Sequence, residues 1–294
     1  MRGCRLKLCL VGACACALLL ACSDDDSWTP ANPNREKSSL QEESSSSLKK
    51  SSSSSSEVED EKSSSSSKVM NSSSSFDTSP TCLGGGNFHW AGAAAEYWVN
   101  TGFDNGTETS GYWYTFGDYV DGGRSTITWP LPLGNDYSEE ALDPVIDECG
   151  GVCGTFKLDA GTMDYDPFVG IAFNVAGTMS ATGDPLVDAD VANACGWGGL
   201  CITYTVDVDA VLELSMGWAR DSALVGFDLP YVKLPKTVAD DHRCFQWSQF
   251  RQDGWGPRKI TGDEIATTLA AIRFKIQGKD GTTGEFNVKT IGTY

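Results

Sequence analysis

The sequence has few of the residues on which catalytic triads, metal centres and nucleic-acid surfaces are built. Its 294 residues include two histidines, His89 and His242, which leaves little material for a triad or a histidine-ligated metal. Only 22 Lys and Arg stand against 40 Asp and Glu, giving a net charge of −18. Such a surface repels phosphate backbones, so we expect no nucleic-acid partner.

Several motifs of known chemistry are also missing. The chain has no Gly-x-Ser-x-Gly elbow, no His-Glu-x-x-His and no phosphate-binding loop. It has no Cys-x-x-Cys pair, which weakens the case for zinc. The apolar run at residues 8–20 is shorter than the roughly 20 residues that span a bilayer. A short transmembrane anchor is therefore the weaker interpretation of the N-terminus.

Residues 1–21 have the pattern of a secretory signal peptide. Arg2, Arg5 and Lys7 precede the apolar run. The following Leu-Leu-Ala-Cys ends at Cys22 and resembles a bacterial lipobox, whose cysteine is lipidated after cleavage. Ser23 resembles a sorting signal that permits transfer to the outer membrane. We therefore predict an exported lipoprotein, anchored to the outer membrane or cell surface through lipidated Cys22.

Residues 22–81 are predicted to be a disordered, serine-rich linker. They show no apolar periodicity, and serine blocks alternate with small clusters of Glu and Lys. The blocks lie at 44–47, 51–56, 63–67 and 72–75. Such polyserine spacers resemble those that join modules in the secreted polysaccharide-degrading systems of fibre-digesting bacteria. The segment is expected to act as a flexible tether.

Cysteine usage supports export. Of 11 cysteines, six lie in residues 82–294, and an even number in an exported domain indicates disulfides. Loop closure favours the two pairs that are close in sequence and leaves the remaining two cysteines to each other. The expected disulfides are Cys149–Cys153, Cys195–Cys201 and Cys82–Cys244. A metal site is the alternative use of these cysteines.

Residues 82–294 are predicted to form one all-β domain, a β-sandwich. Many short strands are separated by Gly and Pro, and residues 202–208 alternate apolar with polar side chains. The turn at 121–123 predicts a hairpin between its flanking strands. The main predicted strands are 112–116, 125–129, 155–158, 168–175, 202–208, 211–215, 223–227 and 285–291. A capping box at 261–264 predicts one short helix before the last two strands. We expect a monomer.

The stretch from Cys244 to Pro257 is the strongest candidate for a binding site. It opens as a strand and runs through glycines into a loop that carries Arg251, Asp253 and Trp255. A flat indole can pack on the C–H face of a sugar, while planar polar groups bridge paired hydroxyls. The alternative is that Trp255 is buried in the core and Arg251 and Asp253 are a solvated pair.

The order of motifs along residues 100–294 resembles the family 11 carbohydrate-binding modules, which have a galactose-binding-like jelly roll. A Phe-Asp-Asn-Gly turn and an aromatic strand lie near its start, and Trp-Ser-Gln-Phe-Arg, Ile-Arg-Phe-Lys-Ile and Gly-Glu-Phe-Asn-Val-Lys-Thr-Ile-Gly lie near its end. Residues 134–191 depart from the family. The resemblance implies binding of β-glucan, such as cellulose or mixed-linkage glucan, in an open cleft on one sheet.

The resemblance also assigns residues. The family's Arg-x-Asp-aromatic cluster falls on Arg251, Asp253 and Trp255, although Gly254 intervenes and Trp replaces Tyr. Tyr112 and Trp113 occupy the positions where the family has a stacking aromatic.

A structural calcium is also implied by the family. It would use Asp104 in the first turn and Asn287 in the last strand, where the family has Asp. An amide oxygen still suits a hard cation, but the lost charge weakens the site. No cofactor is expected to be required.

Two other functions remain open. A glycoside hydrolase or another glycan-active enzyme needs only two suitably spaced carboxylates, and 29 acidic residues lie in residues 82–294. A structural or protein-binding surface lipoprotein would use its aromatic residues mainly as core. Nine Trp and nine Tyr are more than a jelly-roll core usually requires, which favours a binding surface.

Overall fold

Eleven β-strands make up most of the computed structural model, which describes residue 82 and residues 86–135 and 140–294. The predicted signal peptide, Cys22 and the serine-rich linker lie outside these residues. The strands are β1 His89–Ala91, β2 Trp113–Gly117, β3 Thr126–Thr128, β4 Val152–Lys157, β5 Phe168–Asn174, β6 Gly199–Val206, β7 Ala210–Ser215, β8 Tyr231–Leu234, β9 Thr237–Gln246, β10 Ala271–Gln277 and β11 Thr283–Thr293.

The strands form two antiparallel sheets. A six-stranded sheet has the order β3-β4-β11-β6-β9, with β1 added to β11, and a five-stranded sheet has the order β2-β5-β10-β7-β8. The chain repeatedly passes from one sheet to the other, for example from β4 to β5 and from β5 to β6. This is the predicted jelly-roll sandwich, and the two sheets enclose the core between them.

Alternating side chains on facing strands build the core. In β6, Leu200, Ile202 and Tyr204 are buried, while the residues between them are partly exposed. Tyr204 packs against Phe274 of β10, whose ring also contacts Phe286 of β11. Each such side chain contributes about 1.5–3 kcal/mol through burial. The period-2 pattern in the sequence therefore identified the inner faces.

The predicted hairpin between 112–116 and 125–129 is wrong. Strand β2 lies in the five-stranded sheet and β3 lies in the six-stranded sheet. The buried carboxylate of Asp118 turns the chain between them, because it accepts hydrogen bonds from the backbone and hydroxyl of Ser125 and from the amide of Phe168. The turn therefore forms a corner of the sandwich.

The predicted strand at 223–227 is also wrong. This segment is helical, with a short turn α2 at Trp218–Arg220 followed by a π-helical turn at Asp221–Val225. The buried carboxylate of Asp221 fixes the start of the π-helical turn by accepting the Ser215 hydroxyl at 2.5 Å and the Met216 amide at 2.8 Å. A short apolar run does not distinguish a strand from a buried helical turn, so tertiary contacts decided the outcome.

Two further helices flank the strands. The predicted capping box forms at Thr261 and Glu264, and it begins helix α3 at Gly262–Ala266. Helix α1 at Asp143–Cys149 was not predicted from the sequence. Its signals are a proline in the first turn and Gly150 at the C-terminal end, where φ is 60°.

Two of the three expected disulfides are wrong. The register of β6 and β9 places Cys201 opposite Cys244, with Cα atoms 4.0 Å apart. Cys195 lies in a 3-10 turn, and its Cα is 5.5 Å from that of Cys82. The structure therefore contains Cys82–Cys195, Cys149–Cys153 and Cys201–Cys244, not Cys195–Cys201 and Cys82–Cys244. Sheet register, which loop-closure entropy does not include, selected the partners.

Among the described residues, none of the helices is both long and apolar enough to span a membrane.

Candidate functional site

Arg251 extends the five-stranded sheet beyond its edge strand β8. Its backbone N–H donates to the carbonyl of Tyr231, and the N–H of Tyr231 donates to the carbonyl of Arg251, both at 3.0 Å. This pair of bonds is that of two directly opposed antiparallel residues. Residue 251 is thereby held beside β8, and the loop that follows starts from a fixed point.

Buried Asp228 organises that loop. Its side chain is 3% exposed, and its carboxylate accepts the backbone N–H groups of Asp253 at 3.0 Å and of Gly254 and Gly256 at 2.9 Å. Glycine is needed at two of these places. Gly254 has a φ of 94°, and a Cβ on Gly256 would lie 2.2 Å from the carbonyl oxygen of Val225. The three amides thus satisfy a buried carboxylate and fix the loop.

Gln252 locks the same loop from the other side. Its Nε2 donates to the carbonyl oxygens of Asp228 at 2.5 Å and Arg258 at 3.2 Å. Its Oε1 accepts the N–H of Ile260 at 2.7 Å. Side-chain hydrogen bonds from Gln252 and Asp228 therefore hold the loop backbone in place, although the loop lies at the surface.

The anchored loop presents its functional groups to solvent. Trp255 is 64% exposed, so the alternative in which its ring is buried in the core is wrong. The hydroxyl of Tyr231 donates to the carboxylate of Asp253 at 2.6 Å. This bond, followed by partial burial, raises the pKa of Tyr231 to about 12, so the hydroxyl stays protonated at neutral pH. We call Tyr231, Arg251, Asp253 and Trp255 the edge site.

A depression of about 320 Å³ lies beside the edge site. Its lining includes the cationic groups of Lys233 and Arg251, the amide of Gln249, and the rings of Tyr231 and Phe245. The combination of hydrogen-bond donors with aromatic surface suits an uncharged polar ligand with apolar faces.

A row of aligned residues, polar except for Ala172, crosses the outer face of the five-stranded sheet and ends at the edge site. The register aligns Tyr114, Ala172, Arg273, Glu213 and Tyr231 on successive strands. The row joins the two edge strands, β2 and β8, through a tyrosine at each end. It forms a polar floor opposite the apolar core face.

The charges in this floor are paired. Glu213 forms an ion pair with Lys275, and Arg273 lies 3.6 Å from Asp221. Burial raises the pKa of Asp221 even though Arg273 acts in the opposite direction. The Nε of Arg273 is buried without a hydrogen-bond partner. The alternation of charged and apolar residues along 271–277 was the sequence signal for Arg273 and Lys275.

The structure brings together three of the five predicted sugar-binding residues. Arg251, Asp253 and Trp255 share one loop at the edge site. Trp113 does not belong with them, because it is 7% exposed and packs in the core against Trp90 and Phe173. Its prediction as a stacking residue is wrong, since neighbouring positions of a strand point to opposite faces.

Tyr112 lies near the other end of the sheet. It is partly buried beside β2, and its ring is 5.7 Å from that of the exposed Trp98. Because β2 and β8 are separated by three strands, the two edges are roughly 19 Å apart. A role for Tyr112 in binding stays a prediction.

The two residues of the predicted calcium site have separate partners. Asp104 lies in an exposed turn, where its carboxylate accepts the amide of Gly106 at 2.8 Å. Asn287 lies within β11, its Nδ2 donates to the carbonyl of Cys149 at 3.2 Å, and its Oδ1 is buried without a partner. A calcium ion shared by these residues stays a prediction.

Cys201, His242 and Cys244 form another cluster with metal-binding atom types. The two cysteines are joined in a disulfide, so they offer no thiolate. His242 instead shares a hydrogen bond with the hydroxyl of Thr203 at 2.9 Å.

Two residues that anchor the edge site, Asp228 and Tyr231, were not identified from the sequence. Both lie about two dozen residues before the loop, and the sequence pattern did not predict strand β8, which begins at Tyr231. Without the pairing of Tyr231 with Arg251, neither residue could be assigned to the site from the sequence.

No family model matches the chain. Endoglucanase 3 of Fibrobacter succinogenes is 29% identical over 178 residues, which are 60% of this chain and 23% of the length of Endoglucanase 3.

Among solved structures, a family 11 carbohydrate-binding module from Clostridium thermocellum, in complex with a beta-1,3-1,4-mixed-linked tetrasaccharide, is similar. It is 10% identical, with a TM-score of 0.34, over 63% of this chain and 90% of that one. TmCBM61 in complex with beta-1,4-galactotriose is 12% identical, with a TM-score of 0.25, over 62% of this chain and 88% of that one.

Proposed function

We propose that this protein binds β-glucan, such as cellulose or mixed-linkage glucan, without cleaving it. The observation that carries the proposal is the exposed indole of Trp255, held on a rigid loop beside Tyr231, Arg251 and Asp253. An exposed aromatic ring held in a fixed position beside hydrogen-bonding groups suits the apolar face of a polar ligand.

The edge site suits a sugar for two physical reasons. The C–H face of a glucose unit removes apolar surface from water when it covers an indole, which contributes on the order of 1 kcal/mol. The guanidinium of Arg251 donates hydrogen bonds, and the free oxygen positions of Asp253 accept them from sugar hydroxyls. Because glucan is uncharged, the acidic surface of the protein does not oppose binding.

Endoglucanase 3 is named for action on glucan, and this supports a glucan ligand for the present chain. The match covers 23% of that enzyme and leaves most of it outside the shared segment. We infer that the shared segment serves attachment to glucan.

The N-terminal segments complete the proposal. We infer that the signal peptide exports the chain, that Cys22 carries the lipid and that residues 22–81 tether the binding domain to the outer membrane or cell surface. A tethered module can reach an insoluble polymer, and many copies on one cell would bind it by avidity.

Affinity electrophoresis of the full-length chain tests the proposal. We expect β-glucan in the gel to retard the wild type and Trp255→Ala to lose most of that retardation. The matched control is Tyr294→Ala, which removes a 56% exposed ring just after β11 in the other sheet and should be retarded like the wild type. Equal mobility of the wild type with and without glucan would contradict the proposal.

A glycan-active enzyme is the second candidate, since the name of Endoglucanase 3 favours it. Incubation of the purified protein with β-glucan distinguishes the two functions. Release of reducing sugar that follows the protein through purification would support hydrolysis. Retardation without such release supports binding alone.

A further inference from the structure

A second aromatic surface lies next to the edge site, on the segment between β7 and β8. The rings of Trp218 and Phe227 are 4.8 Å apart between centroids, with an interplanar angle of 55°. Phe227 is 37% exposed, and Trp218 is partly exposed. We call these two residues the aromatic shelf. They are too exposed to be accounted for as part of the core.

The backbone of Phe227 has an unusual conformation for a bulky residue. Its φ is 67°, and the other described non-glycine residues with positive φ are Ala95 and Glu108. The N–H of Phe227 closes the helical turn by donating to the carbonyl of Asp221 at 2.9 Å. A glycine would adopt this φ without strain. Neither burial nor backbone preference therefore explains a phenylalanine here, and such outliers are concentrated at functional sites.

The aromatic shelf and the edge site are carried by two loops that pack against each other. Asp228 directly follows Phe227, and its carboxylate binds the amides on both sides of Trp255. A Cβ on Gly226 would lie 3.0 Å from the Cδ of Pro257. The path from Phe227 through the Asp228 side chain and its hydrogen bonds limits the distance between the Cα atoms of Phe227 and Trp255 to about 13 Å. Asp228 thus links the backbones of the two loops that carry these rings.

We propose that the aromatic shelf is a second sugar-binding subsite, which contacts further units of the same glucan chain that covers Trp255. The proposal rests on the proposed function of the edge site. Its occupant is an uncharged polysaccharide, because the shelf adds flat apolar surface and continues the edge site across their shared anchor, Asp228. Contact at both places makes binding depend on the length of the glucan.

Titration calorimetry with a β-glucan disaccharide and hexasaccharide tests the proposal on the full-length chain. We expect Phe227→Gly to weaken hexasaccharide binding by roughly threefold to tenfold, as expected for loss of one aromatic contact. Disaccharide binding should be unchanged, because the short ligand occupies only the edge site. The unfolding temperature of Phe227→Gly should stay close to that of the wild type, because the relief of backbone strain offsets the lost contact with Trp218.

Leu224→Ala is the matched control. Leu224 lies on the same segment, is also 37% exposed and is aliphatic, so its loss should leave both affinities as in the wild type. Phe227→Leu keeps apolar volume but removes the flat ring, and it should weaken hexasaccharide binding as Phe227→Gly does.

The outcomes separate the two proposals. If the wild type binds the hexasaccharide and Phe227→Gly binds it equally well, the aromatic shelf is not a subsite, and the edge site stands. If Phe227→Gly weakens both ligands alike, the shelf does not extend the site along the chain. If the wild type binds neither ligand, the proposed function fails, and the shelf fails with it.

Discussion

At the level of single residues, a buried carboxylate holds the loop that carries an exposed ring. Asp228 contributes no atom to the exposed surface of the edge site, yet it receives three backbone hydrogen bonds from the loop that carries Trp255. Charged acceptors make such bonds stronger than neutral ones. The position of the ring is therefore set by a residue that the ligand does not contact.

Removal of this carboxylate should affect stability and binding together. We expect Asp228→Ala to lower the free energy of unfolding by about 2–4 kcal/mol, because three amides lose their acceptor. Glucan retardation should also fall, since Trp255 is no longer fixed. Urea unfolding and affinity electrophoresis measure the two effects.

Asp240→Ala is the control for this change. Asp240 is exposed and pairs with Lys289 on the six-stranded sheet, so its loss should cost at most about 1 kcal/mol and leave binding unchanged. An Asp228→Ala protein as stable and as strongly retarded as the wild type would show that the carboxylate does not organise the loop.

Some residues of the edge site could be predicted from the sequence and others could not. The motif at 251–255 identified Arg251, Asp253 and Trp255, because these residues are close along the chain and share one loop. Trp113 was wrongly included beside Tyr112, since a resemblance locates an aromatic strand more accurately than the face on which each ring lies. Asp228 and Tyr231 reach the site only through tertiary pairing.

At the element scale, the strand register determines the covalent links. The Cys201–Cys244 disulfide joins adjacent strands β6 and β9 across 43 residues of chain, whereas Cys149–Cys153 closes a loop of four. In the chain-entropy description, a longer loop means a larger loss of unfolded-state freedom. The long-range link should therefore contribute more to stability.

Paired substitutions test this difference. We expect Cys201→Ser with Cys244→Ser to lower the free energy of unfolding by about 4 kcal/mol, and Cys149→Ser with Cys153→Ser to lower it by about 2 kcal/mol. Urea unfolding under non-reducing conditions gives both values. Equal losses, or a larger loss for the short loop, would contradict the larger contribution expected of Cys201–Cys244.

Elements were predictable from the sequence where their signals are local. Alternation along 202–208 and the capping box at 261–264 gave a strand and a helix close to those observed. The corner after β2 and the helical segment at 218–225 were missed, because buried Asp118 and Asp221 determine them through bonds to residues elsewhere in the fold. Two of the three disulfide pairs were missed because strand register and tertiary packing, rather than closeness in sequence, select their partners.

At the scale of the whole molecule, the proposed function follows from the separation of two faces. The inner face of the five-stranded sheet is apolar core, and its outer face carries paired charges that end at the edge site. Composition and strand pattern were enough to predict the sandwich. They were not enough to predict which edge of which sheet would expose an aromatic ring, because that depends on the pairing of Arg251 with β8.

Tryptophan fluorescence of the full-length chain during titration with β-glucan tests directly whether glucan covers the ring of Trp255. Trp255 is 64% exposed, so a sugar that covers its ring should move its emission to shorter wavelength. We expect this shift in the wild type and a clearly smaller one in Trp255→Phe, which keeps a flat ring but removes the indole and leaves Trp218 of the aromatic shelf to report on bound glucan. The same shift in both proteins would show that glucan does not cover Trp255 and would contradict the proposed binding of glucan at the edge site.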